Sequence, residues 1–403
     1  PVEFAGLQAG NITRGLRFSQ HEMTVCTSAA QYFSFLEEEG ILADPIRRRA
    51  AIAEQVRSLA RSCDADETVD ENLLDEVTNL VEAPTALLGK FDEETLSLPS
   101  EVLVGVMKKH QRYFPLHAKD GNLMARFVAV RNGGNQHLET VAHGNEEVIR
   151  ARFADAAFFI QEDSTTTLQQ FAQKLDNLAF HPKLGSFLEK SQRIQKLVDK
   201  FADQLNIDEK ELKTARRAAE LCKADLVTKM VVEMTSLQGV IGRIYAERGG
   251  EDALVARAIE EHYWPRFSGD KTPASKPALL IGVADRIDSL VGLFAAGMAP
   301  SGTKDPFGLR RTTIGLLACL IDTGLHFDLN AALRTAADAY AGKIEISAEI
   351  IQQIAHFIHQ RLDAMLIESG CMYDSVQAAT SVQFADPASA ALAARSLDQH
   401  KQN

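Results

Sequence analysis

From Asn145 onward the apolar residues of this chain recur every three or four positions, and they continue to do so almost to its last residue. That period places them on one face of a helix. A chain patterned this way over more than half its length must fold there as packed helices. NEEVIRARFADAAFFIQED (145–163) is predicted to be the first, with an apolar stripe through Val148, Phe153, Ala156 and Ile160. TTLQQFAQKLDNL is the second. Further helices are predicted over 187–204, 208–235, 252–262, 275–296, 306–322, 328–341, 347–368 and 387–400, most with a cap or a breaker at one end. Neither an internal repeat nor a low-complexity tract interrupts the series.

Upstream the pattern changes. Residues 1 to about 35 mix Gly with β-branched and aromatic residues, as in PVEFAGL and AAQYFSFL, and read as short strands and turns. Pro45 opens PIRRRAAIAEQVRSLARSC, a helix with Ile46, Ala50, Ala53, Val56 and Ala60 on one face. A second helix is predicted from about Asp70 to Val81, ending near Pro84. The runs TALLGKF, YFPLHA and MARFVAVRN then read as strands, with KDGN at 119–122 as a hairpin turn. The fold class is an α+β amino-terminal part followed by a mostly α-helical part.

Composition narrows the function. With 403 residues the chain can hold two or three domains. No run of 18 or more apolar residues appears, so no membrane partner is expected. PVEFAGLQAGN lacks a secretory pattern and an initiator Met, and the expectation is a fragment or a processed chain. The five cysteines (26, 63, 222, 319 and 371) form no CxxC pair, which argues against a structural zinc site and a disulfide framework and fits a reducing compartment. The net charge of −12 gives no general attraction to nucleic acid. Any such contact must come from local basic patches.

Four stretches could carry chemistry. In MKKHQRYFPL (107–116), Lys108, Lys109, His110 and Arg112 stand beside Tyr113 and Phe114, a pattern suited to phosphate contact and base stacking. The plain alternative is a solvated loop before a strand, with both rings in the core. In GNEEVIRARFADAAFF (144–159), Asn145 is a helix cap, Glu146 and Glu147 suit a first turn, and Arg150 is at ion-pairing distance along the helix. Arg150 and Arg152 are further phosphate candidates.

The third constellation spans three helices: Asp225, His262, and the pair Asp285 and Asp288. Buried carboxylates need cations or a metal, and a metal-dependent phosphohydrolase is one reading. Two residues oppose it. Ala224 stands where a second ligand is expected, and Lys223 is a cation where a metal wants a donor. The plain alternative is that these carboxylates pair with Lys or Arg. The fourth stretch is SGTKDPFGLRR (301–311). Asp305 reads as an N-cap and Pro306 as N1, but Arg310 and Arg311 near a helix start oppose its dipole. They require an anion, either a carboxylate such as Asp285 or Asp288, or a phosphate.

Nine segments, in order, resemble the β subunit of the bacterial-type heterotetrameric glycyl-tRNA synthetase. They begin with GNITRGLRF (10–18) and LLDEVTNLVEAPTALLGKF (73–91), and continue through MKKHQRYFPL, GNEEVIRARFADAAFF and KLGSFLEKSQRIQKL (183–197). CKADLVTKMVVEMTSLQGVIGRIYA (222–246), EHYWPRFSGD (261–270), VADRIDSLVGLF (283–294) and GTKDPFGLRR complete the series.

The resemblance implies a B3/B4-like α+β domain over 1–170 with its amino-terminal part missing. It implies an α-helical HD-like domain over 171–325, and a helical linker over 326–403 toward a missing anticodon-binding domain. Asp225, His262 and Asp285 fall at degenerate HD positions, with Ala224 replacing a His and His181 the candidate for the first His. The resemblance therefore implies no metal and no catalytic residue in this chain. It implies that glycine is joined to tRNA(Gly) at the α subunit, which uses ATP and Mg, in an assembly of two α and two β. This chain would bind tRNA through Lys108, Lys109, Arg112, Arg150, Arg152, Lys304, Arg310 and Arg311 and would not itself form the adenylate. The expected location is the cytoplasm, or an organelle stroma in a plant. A working HD-type phosphohydrolase is the rival reading. An editing enzyme is a third, although no residue marks an editing site.

Overall fold

The computed structural model describes residues 3–17 and 24–401. Phe18, which closes GNITRGLRF, lies outside them, as do the parts of the expected strands at 1–2 and 18–23. The chain divides into two compact units, Pro1–Phe159 and Ile160–Asn403.

In the first unit, β1 (Glu3–Phe4) and β2 (Leu7–Gln8) form a hairpin, and β3 (Ile12–Thr13) pairs with β4 (Thr24–Val25). AAQYFSFL is not a strand. It lies in helix α1 (Ala29–Glu38), whose amino terminus is capped by Ser28 accepting from the Gln31 N–H. The aromatic-rich composition suits a strand, but the cap and the burial of Phe35 and Leu36 against Ile41 decide for helix.

Helices α2 (Pro45–Ser62) and α3 (Glu71–Leu80) form where expected, capped by Asp44 and Asp70. They cover one face of an antiparallel sheet of β5 (Pro84–Lys90), β6 (Phe114–His117) and β7 (Leu123–Asn132), in the order β5–β7–β6. Ile52, Val56, Leu73, Leu74 and Val77 meet Phe114, Leu116 and Val128 in that core. The Ala118–Asn122 turn closes the β6–β7 hairpin, with Gly121 at φ +88° and Asp120 accepting from the Asn122 N–H. Across from Phe127, position 89 must be glycine, because a Cβ there would stand 2.3 Å from the ring.

Between β5 and β6 the chain forms α4 (Ser100–Gly105) and a π-helical turn, Val106–Gln111, instead of staying strand-like. Helix α5 spans Leu138–Asp163, so the expected start at Asn145 is corrected by seven residues. Asn145 lies inside the helix and is not its cap. Glu146 accepts from the Lys90 backbone N–H at 3.0 Å, and Arg150 pairs with Glu147.

The second unit is helical apart from the short pair β8 (Ala179–His181) and β9 (Gly185–Ser186). After α6 (Leu168–Lys174) come α7 (Phe187–Phe201) and α8 (Glu209–Leu221). All three open on a capping box, Thr167/Gln170, Ser186/Glu189 and Asp208/Glu211. The single helix expected over 208–235 ends at Leu221. It is replaced by a turn at Ala224–Val227, the short α9 (Lys229–Glu233) and a turn at Thr235–Leu237. Helices α10 (Val240–Arg248), α11 (Ala253–Glu261), α12 (Lys276–Ala295) and α13 (Leu309–Thr323) follow. The chain continues through α14 (Leu329–Asp338), α15 (Ala348–Glu368), α16 (Tyr373–Gln383) and α17 (Pro387–Lys401).

Helix α12 is the axis of this unit. It is apolar all round, and α7, α8, α11, α13, α14 and α15 pack against it. Among the described residues, no helix is long and apolar enough to cross a membrane.

Candidate functional site

Beyond Lys276 at its start, three charged side chains interrupt the apolar surface of α12: Asp285, Arg286 and Asp288. A charge in such a place is stable only when it is paired or saturated with hydrogen bonds. Helix α7 supplies part of the answer. Lys190 and Arg193 sit on its buried face, three residues apart. Arg193 Nε donates to Asp288 Oδ1 at 2.6 Å, and Lys190 Nζ donates to Asp288 Oδ2 at 2.9 Å. Lys190 Nζ also lies 2.8 Å from Asp285 Oδ1. Burial works to lower the Lys190 pKa, but the fields of Asp285 and Asp288 outweigh it and the net shift is upward.

A third cation comes from the break after α8. Lys223 Nζ donates to Asp285 Oδ2 at 2.7 Å and lies 2.9 Å from His262 Nε2. It also stands over the Tyr263 ring. Burial would raise the Asp285 pKa, yet Lys190 and Lys223 hold it well below the usual carboxylate range. Burial and the Lys223 charge drive His262 well below its ordinary value, so its imidazole is neutral. His262 Nδ1 then donates to the Ile259 carbonyl at 2.8 Å, and Nε2 accepts from Lys223.

Arg286 is saturated differently. Its guanidinium donates to the backbone carbonyls of Gly282, His262, Tyr263, Trp264 and Pro265. The space for it exists because positions 282 and 315 have no side chain. A Cβ would stand 2.8 Å from Arg286 Nη1 at 282 and 3.0 Å from Nε at 315.

These residues do not fit a metal. The Lys223 ammonium occupies the lone pairs of His262 Nε2 and Asp285 Oδ2 that a metal would need. Asp225 is turned away to the start of α10, where its Oδ2 accepts from the Gly239 N–H at 2.5 Å and the Gly242 N–H at 3.3 Å. His181 accepts from the Lys183 N–H and meets Phe307 edge-on. Among the described residues, no group of three or more His, Cys, Asp or Glu side chains could hold a metal ion. The phosphohydrolase reading has no support in this geometry.

The predicted phosphate contacts fall into two groups. In the first unit, Lys108 pairs with Asp70, Arg112 with Glu76, and Arg150 with Glu147 and Asp92. The exposed side chains of Lys109 and Arg152 have no partner among the described residues. The fold brings these two segments together. Burial, then the charges of Arg152 and Arg112, lowers the pKa of His110. Tyr113 and Phe114 are buried, and Tyr113 stacks on Phe127 with centroids 4.6 Å apart. Their rings belong to the core.

In the second unit, Asp305 and Pro306 do not begin the helix as expected. They form a turn in which the Gly308 N–H donates to the Asp305 carbonyl, and α13 starts at Leu309. Asp305 still serves the helix, because its carboxylate accepts from the Leu309 and Arg310 N–H groups at 2.8 and 2.9 Å. Arg310 donates to the Gly302 carbonyl at 2.6 Å. Among the described residues neither arginine pairs with Asp285 or Asp288, whose oxygens are taken by Lys190, Arg193 and Lys223. Lys304 is exposed, and the side chains of Lys304 and Arg311 have no partner among the described residues.

Lys190, Arg193, Arg266 and Arg286 were not singled out by sequence reading. Two basic residues on the apolar stripe of α7, next to Ile194 and Leu197, were the available signal that buried carboxylates lay opposite.

Comparison with known proteins decides the family. A family model described as glycyl-tRNA synthetase beta subunit matches residues 1–381. The chain belongs to the glycyl-tRNA synthetase beta subunit family. It is 43% identical to the glycine–tRNA ligase beta subunit of Moorella thermoacetica over 406 residues, covering 100% of this chain and 58% of that protein. Against the Bacillus subtilis protein of the same name the identity is 39% over 399 residues, covering 99% and 57%. Against that of Clostridioides difficile it is 40% over 384 residues, covering 95% and 56%. The chain thus spans somewhat more than half the length of these beta subunits. The family read from the nine ordered segments holds across the matched region, which includes both units.

Proposed function

We propose that this chain binds tRNA(Gly) as part of the beta subunit of a glycyl-tRNA synthetase of two α and two β subunits. The α subunit would attach glycine with ATP and Mg. This chain would hold the tRNA so that its end reaches that active site, the usual way in which remote binding energy serves a reaction. Family membership over residues 1–381 carries the reading. The basic side chains left without partners in an acidic chain support it: Lys109 and Arg152 in the first unit, Lys304 and Arg311 in the second. The division at 170 and 325 into B3/B4-like, HD-like and linker parts belongs to this proposal, as does a cytoplasmic or stromal location. In the HD-like part, a lysine ammonium would have taken over the structural place of a metal.

The test is a titration with tRNA(Gly) at several salt concentrations. Each phosphate contact removed is expected to reduce the slope of log K against log[salt] by about 1. Lys109→Gln/Arg152→Gln and Lys304→Gln/Arg311→Gln should therefore each flatten it by about 2. A slope that no variant changes would remove these residues from the interface. ATP–pyrophosphate exchange with glycine should be absent for this chain alone. Measurable exchange would place the chemistry here and overturn the proposal.

A further inference from the structure

A cavity of about 510 Å³ opens in the second unit between the 262–266 segment, α12 and the start of α13. Arg266, Arg286 and Arg311 line it, and among its lining residues Asp285 is the one carboxylate. That carboxylate is already shared between Lys190 and Lys223. Among the described residues none of the three guanidinium groups has a carboxylate partner. Arg286 is bonded to carbonyls. Arg266 donates to the Gln238 carbonyl at 3.3 Å, while Asp270 takes the backbone N–H of Arg266 and not its guanidinium. Arg311 is free among the described residues. With Arg193 and Asp288 behind the wall, six cationic side chains meet four carboxylates: Asp285 and Asp288, Asp225 acting on Lys223, and Asp270 at the Arg266 backbone, so positive charge remains in excess.

A chain with a net charge of −12 has thus gathered uncompensated positive charge around a concave, partly enclosed space. Such an excess repels itself in a low-dielectric setting and is relieved by an anion of matching charge. Guanidinium groups fit oxyanions through paired N–H donors, and a doubly charged phosphate matches this excess better than a monoanion. The volume exceeds what a bare phosphate needs and suits a ligand of nucleotide size. Phe307, 39% exposed, offers a ring on the lining.

We propose that this cavity binds a small phosphomonoester of mononucleotide size. Arg266 and Arg311 grip its phosphate, Arg286 supplies fixed charge, and the Lys223 ammonium keeps Asp285 from repelling it. The site shares Arg311 with the proposed tRNA contacts, whereas Arg266, Arg286 and the cavity itself stand apart from that reading.

Isothermal titration of the chain with adenosine monophosphate, and with inorganic phosphate as competitor, tests it. Saturable one-to-one binding that phosphate displaces is expected. Arg266→Gln/Arg311→Gln should raise the Kd about tenfold or more. Arg311→Gln alone, at an exposed position, should raise it severalfold with an unchanged melting curve, which separates lost contact from lost fold. Lys109→Gln/Arg152→Gln, in the other unit, should leave the Kd as it is. The proposal is overturned if neither probe binds at millimolar concentration, or if Arg311→Gln leaves the Kd unchanged. Binding of tRNA(Gly) through Arg311 without binding of the mononucleotide would also overturn it, by assigning the arginines to a polynucleotide, and would leave the proposed tRNA role standing.

Discussion

Asp288→Ala is expected to destabilise this protein by about 3–5 kcal/mol, the usual effect of removing one partner from a buried ion pair. Asp288 is 0% exposed and holds Arg193 through Oδ1 and Lys190 through Oδ2. Its loss leaves the Arg193 guanidinium without a carboxylate and a buried Lys190 with Asp285 as its one remaining carboxylate among the described residues. Neither cation can turn out to water without opening the contact of α7 with α12. The damage spreads through shared partners. Arg193 lies over the Tyr340 ring, 4.2 Å from its centroid, and the Tyr340 hydroxyl donates to the Asp288 carbonyl. Urea unfolding followed by circular dichroism measures the effect. Asp305→Ala is the comparison, since it removes only a helix-capping carboxylate and should cost about 1 kcal/mol. Equal losses for the two variants would show that the buried pairs contribute no more than a surface cap. Asp288→Ala and Asp285→Ala should not be additive, because both strand the same lysine.

That network also explains what the sequence could and could not reveal. Helices α2, α3, α14 and α15 were legible because their apolar period and their caps are local properties, and α12 because a long apolar run follows a proline in its first turn. The sheet was legible for the same reason, through three short apolar runs and the KDGN turn. The failures cluster where distant residues decide. The period over 208–235 is continuous, yet the chain breaks after Leu221. Lys223 is drawn to Asp285, 62 residues on, and Asp225 is tied to the amides of Gly239 and Gly242. Helices α10 and α16 escaped because their short sequences carry no side-chain cap. At α5 an Asn followed by two Glu imitated a helix start in the middle of a helix. The candidate site was half legible. Asp285 and Asp288 were seen to need cations, and Lys or Arg was the plain expectation. Which cations they were depended on the packing of α7 and α8 against α12, which no local pattern encodes. The question raised by Arg310 and Arg311 has divided in the same way. Arg310 is satisfied by a carbonyl eight residues back, and Arg311 still faces an open cavity.

Asp225 gives the second large effect, and its sign runs opposite to that of Asp288. The carboxyl is fully buried, Oδ2 accepts two backbone amides, and Oδ1 has no hydrogen-bond partner among the described residues. Burial raises its pKa from 3.8 to about 6, against the lowering influence of the Gly239 amide and the Lys223 charge. In the unfolded chain it titrates near its ordinary value. Below that value both states carry the proton and Asp225 costs nothing. As the pH rises toward the folded value, the unfolded carboxyl ionises first, so folding stability falls by up to ~3 kcal/mol and then levels off. Asn at this position keeps an oxygen for the two amides and carries no charge. Asp225→Asn is therefore expected to match the parent protein near pH 4 and to exceed it by up to ~3 kcal/mol at pH 8, with the gap opening between pH 4 and 6. Urea midpoints measured across that range read the gap directly. A constant gap would mean that Asp225 keeps the same proton in both states. A variant less stable than its parent at pH 8 would mean that the carboxylate charge is needed by Lys223, and that the cationic network reaches beyond Asp285 and Asp288 to include the break after α8.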